Sequence, residues 1–156
     1  MIHLNKRVRE IHARIKEWLL EAGYTIKKRK DTKSFFNYTI AKGNLPSLNV
    51  LQPKENRDSI VVIFGIEFDM KSAEKIRSND EMLWKIRKWL LQSGCRFGFF
   101  PNLQSFNVIR AFRTLFYDGL TKNSFFRTID KVTDAGLFVA WTIQREIGEM
   151  PARASF

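Results

Sequence analysis

Ile60-Val-Val-Ile-Phe-Gly-Ile-Glu-Phe68 is the stretch that decides the fold. Its first seven residues are all apolar or glycine and rich in β-branched side chains, which suits a strand. A half-solvated strand would alternate apolar and polar positions. This one is apolar on both faces, so it reads as the central strand of a sheet. It is also far shorter than the roughly 20 residues needed to cross a bilayer.

Working outward from this strand, Leu48–Leu51, Phe35–Ala41 and Tyr24–Arg29 are further β-branched or aromatic runs. They are separated by turn residues at Asp31-Thr-Lys33, Gly43-Asn44 and Pro46. Ahead of them Leu4, Val8, Ile11, Ile15, Trp18, Leu19 and Ala22 fall on one helical stripe, with Gly23 at the C-terminal end. Beyond the central strand, Asp69 caps a short helical turn through Arg77. Ser78-Asn-Asp-Glu81 reads as a capping box for a second helix reaching about Ser93. Two strands follow, Phe97–Phe100 and Phe106–Tyr117, and then a long helix that starts at Thr121 or Asn123 and runs to Ile147. Short turns between successive strands mean antiparallel pairing, and segregated helices mean α+β. The expected architecture is α-β(3-4)-α-β-β-α, an antiparallel sheet packed by helices. Residues 1–150 form a single domain and residues 151–156 a flexible tail.

The chain has 156 residues, 44% of them hydrophobic and 14 of them Phe, which is enough for a real and largely aromatic core. Its 27 Lys+Arg against 16 Asp+Glu give a formal charge of +11, a field that draws nucleic acid, an anionic membrane or acidic partners. The single cysteine, Cys95, leaves no disulfide framework and suits a reducing interior. The N-terminal residues carry no apolar signal core, and the expected location is cytoplasmic, with no membrane partner.

Catalytic chemistry finds little purchase. Cys95 lies next to Arg96, but His3 and His12 sit far away in the first helix and no triad spacing exists. No paired cysteines, His-x-x-x-His or calcium loop offers a metal site, and no glycine-rich loop offers a nucleotide site. Neither catalytic residues nor a cofactor are assigned. Asp58, Glu67, Asp69 and Lys71 are the residues a metal-dependent nuclease could use, with Asp69 and Lys71 one residue apart. Asp69 is better used as a helix cap.

Two groups of residues remain. Lys27, Lys28, Arg29, Lys30 and Lys33 put five cations between two apolar runs. No central strand could bury them, so they belong to an edge strand or hairpin arm, where they discourage aggregation or contact phosphates. The second group is aromatic. Phe138 and Trp141 fall outside the apolar stripe of the last helix, on the side of Arg127, Lys131, Asp134 and Arg145. Trp84 and Trp89 make the second helix apolar around most of its circumference. Either the two helices cover each other, or these side chains anchor a partner.

The element order, together with Leu115-Phe-Tyr-Asp-Gly-Leu-Thr-Lys-Asn-Ser-Phe-Phe126 and Ala140-Trp141, resembles the type III secretion chaperone-like fold shared with YbjN-like proteins. The stretch from Leu115 to Trp141 is similar to the strand, turn and aromatic-started final helix of uncharacterised, largely archaeal relatives of that fold. The resemblance implies a non-enzymatic dimer that binds a segment of another protein. The chain departs from those chaperones in charge, since they are typically acidic. The resulting expectation is a homodimeric protein-binding or chaperone-like adaptor module. Nucleic-acid binding through the basic edge hairpin is the alternative, and a nuclease ranks below both.

Overall fold

The computed structural model describes residues 2–55 and 58–148 and the backbone of 153–154, with side chains from residue 6 onward. It is α+β: α1 (Ile2–Glu21), β1 (Thr25–Lys28), β2 (Ser34–Ala41), β3 (Leu48–Pro53), β4 (Ser59–Glu67), α2 (Met70–Arg77), α3 (Asp80–Gln92), β5 (Arg96–Phe100), β6 (Val108–Phe116), α4 (Lys122–Ile147) and β7 (Arg153–Ala154). Six strands lie in the order β1-β2-β3-β4-β6-β5, every neighbouring pair antiparallel. Within the expected tail, β7 pairs with Ile66 and Glu67 at the end of β4, where β3 has already stopped. Residues 151–152 and 155–156 lie outside the described residues.

β4 is central, as its composition requires. Ile60, Val62, Phe64 and Ile66 point to one face and are almost wholly buried. At roughly 2 kcal/mol per large side chain, they contribute about 8 kcal/mol gross. α4 crosses this face with Gly136 directly on the Phe64 ring, so close that a Cβ at 136 would overlap it. α1 covers the same face of β2, where His12 stacks on Phe36 at 4.5 Å and bonds the Tyr38 hydroxyl.

β4 is apolar on both faces, and helices cover one of them. Val61 and Ile63, on the other face, are half-buried. An antiparallel sheet tolerates this arrangement, whereas a parallel one would not.

The caps follow local chemistry with one shift. Asp69 accepts from the Ser72 amide at 2.7 Å and starts α2. α3 begins one residue later than the Ser78 box proposes. Asn79 accepts from the Met82 amide at 3.0 Å, and Ser78 instead ends α2. Thr121 and Ser124 form a reciprocal capping box at the start of α4.

Candidate functional site

The two groups singled out from sequence land on different surfaces. α3 and α4 run antiparallel on the outside of the molecule: Lys85 reaches Glu146 at 3.3 Å, and Trp89 stacks on Phe138 at 4.3 Å between ring centroids. Trp89 and Phe138 therefore partly cover each other within one chain. They floor a groove of about 460 Å³ rimmed by Lys85, Lys88, Arg145 and Glu146. Trp84 and Trp141 find no such shelter and are 65% and 63% exposed, and Leu91, two turns after Trp84, is 70% exposed. All three lie opposite the buried stripes of their helices, Met82–Ile86–Leu90 and Val132–Val139–Ile143.

The basic run is split. β1 is the edge strand, and its register with β2 sends Lys27 to the uncovered face and Lys28 toward the helical side. Lys28 stands close enough to His12 to help lower its pKa, after burial and Lys16. Arg29 and Lys30 line a hollow on the uncovered face with Asp31, Asn37, Asn49 and Arg110. Lys33 donates its amide to Asp31, whose carboxyl is held below its usual range by Ser34 first and by that amide second.

The uncovered face was not singled out in advance. One ladder row crosses all six strands: Lys27, Thr39, Asn49, Ile63, Phe112 and Arg96 are successive partners. At about 4.8 Å between strands the row is about 24 Å long. Beside it, Gly98 opposes Arg110, and the Phe100 ring lies 2.7 Å from where a Gly98 Cβ would stand. The missing side chain lets Phe100 fold back over the sheet, and the Arg110 guanidinium sits 4.3 Å from its centroid. Burial lowers the Arg110 pKa. The signal for this surface was present in Arg110-Ala-Phe-Arg-Thr-Leu-Phe116, where Arg110, Phe112, Thr114 and Phe116 share parity.

Residues 11–143 match the family described as uncharacterized conserved protein (DUF2299). The chain belongs to that family. A crystal structure of an uncharacterized protein from Methanothermobacter thermautotrophicus is similar to this DUF2299 chain. The two are 26% identical with a TM-score of 0.75, covering 87% of this chain and 98% of the other. Comparison with curated proteins found no match. Neither description states an activity, so the chemistry rests on the residues themselves.

In this DUF2299 chain Cys95 is buried, and burial raises its pKa. Asp69 and Lys71 belong to the start of α2 rather than to a strand. Among the described residues no three His, Cys, Asp or Glu side chains are grouped to hold a metal, and no helix is long and apolar enough to cross a membrane.

Proposed function

We propose that the chain is a non-catalytic protein-binding module that pairs with a second copy through the outer face of α3 and α4. The observation that carries this reading is the joint exposure of Trp84, Leu91 and Trp141 on two packed helices. Each such side chain gains roughly 1.5–3 kcal/mol on full burial. The same surface mixes Glu81 and Glu146 with Lys85, Lys88 and Arg145, so a two-fold copy can set opposite charges against each other. Like charges dominate elsewhere on a chain of +11.

Sedimentation velocity over a range of protein concentrations, at low and high salt, tests the reading. The expected result is a dimer that survives high salt, as apolar burial should, and that Trp141→Lys or Trp84→Lys dissociates. A wild-type chain that stays monomeric at every concentration and salt would sink it.

A further inference from the structure

We propose that the uncovered face of the sheet binds single-stranded nucleic acid, laid across the row that runs from Lys27 to Arg96. This site is separate from the α3–α4 surface and does not depend on it.

The row carries a cation at each end, Lys27 on β1 and Arg96 on β5, with Ile63 and Phe112 between them. Further cations stand beside it. Arg29, Lys30 and Arg110 line the hollow near its middle, and Arg96 lines a second hollow with Phe112, Thr114 and Phe116. The register puts Glu67 on the same face, and Asp31 beside the first hollow is already engaged by Ser34, Lys33 and Asn37. The occupant must therefore be anionic along its length. A second copy of this chain is excluded on that ground, because two such faces would oppose cation to cation.

The apolar part of the face defines the occupant further. Phe116 is 60% exposed, and Phe112 and Phe100 are partly exposed on the same side. Flat rings beside cations suit a polyanion that also presents flat, stackable groups, which is what an unpaired strand offers and a duplex does not. The hollows, about 270 and 280 Å³, fall below the usual range for an enclosed small-molecule pocket, yet they suit a single base or phosphate. Asn49 lines the first hollow. It is buried, and its Oδ1 has no hydrogen-bond partner among the described residues, although its Nδ2 donates to Asn37. A base amino group would satisfy that acceptor. A span of about 24 Å holds roughly four nucleotides, at the short end of known single-strand sites.

The experiment is fluorescence anisotropy with labelled mixed-sequence 12-nucleotide RNA and DNA, the corresponding DNA duplex, and polyglutamate of similar charge. Four phosphate contacts predict a salt slope near −3, so raising salt from 50 to 200 mM should weaken single-strand binding about 50-fold. The paired reversal Lys27→Glu with Arg96→Glu should weaken binding at least tenfold. The same change of net charge on the helical side, Arg9→Glu with Arg127→Glu, should cost no more than about twofold. Phe116→Ala, at an exposed position that leaves the core intact, should weaken single-strand binding about tenfold and leave polyglutamate unaffected. Binding of RNA, DNA or both supports the proposal, and a preference for RNA would assign a contact to the 2′-hydroxyl. Equal loss from the sheet-side and helix-side reversals would overturn it, as would tighter binding of the duplex, or absence of binding to either single strand at 50 mM salt.

Discussion

Replacing Gly136 by alanine tests whether α4 is seated on β4 as closely as the structure has it. An added Cβ would overlap Cγ, Cδ1 and Cδ2 of Phe64, a fully buried ring. Cγ is one bond from the Phe64 Cβ, so rotating the ring does not clear the methyl. The strand cannot retreat either, because β4 is hydrogen-bonded to β3 and β6. Relief must come from lifting α4, and overpacking of this kind costs about 1–3 kcal/mol. Taking the upper end and subtracting about 1 kcal/mol for the better helix propensity of alanine leaves a net loss of about 2 kcal/mol. In urea titration the midpoint should fall by about 1 M with little change in slope. The melting temperature should drop by about 4–8 °C. Phe64→Leu in the same chain should recover part of the loss, a coupling of at least about 0.5 kcal/mol. An alanine variant as stable as the parent, or more so, would refute this seating of the helix.

Other expectations follow from single side chains. Thr121→Ala removes one half of the α4 capping box and should cost about 1 kcal/mol in urea titration, whereas Thr121→Ser should keep most of it. His12 titrates below its ordinary 6.5, through burial first and then Lys16 and Lys28, so the folded state binds fewer protons there than the unfolded chain. Its contribution is complete above pH 6.5 and is lost as pH falls through the folded value. Stability measured at pH 7.5 and 5 should therefore decline more in the parent than in His12→Gln. Cys95, buried and with its pKa raised by that burial, should resist iodoacetamide at pH 8 until urea unfolds the chain.

Much of the fold was legible because each element carries its own period and punctuation. The apolar run at Ile60–Ile66 could only be central. The α1 stripe ending at Gly23, and the Thr121 cap ahead of Phe125, are local chemistry that tertiary contacts did not override. Ser78 misled because two cap residues stand side by side, and the end of α2 decided which one α3 could use. The surfaces were less legible. Phe138 lies off its helix stripe in sequence, and only the packing of α3 beside α4 reveals that Trp89 covers part of it while Trp141 is left outside. The Lys27–Arg96 row joins residues from six strands, and no window along the chain contains it. Strand order had to be known first.

The strand order also has a consequence for how the chain comes together during synthesis. β4 finds β3 across a short turn, but its other flank waits for β6, whose first residue is Val108. Until that segment leaves the ribosome, the most apolar strand of the molecule is an open edge. A chain stopped after Phe68 should therefore self-associate through that edge and be rapidly digested by protease, while one extended through β6 and α4 should resist both. Equal protease resistance of the short chain would mean that the first four strands close without β6. The late-arriving half thus acts as the internal guard of the early one.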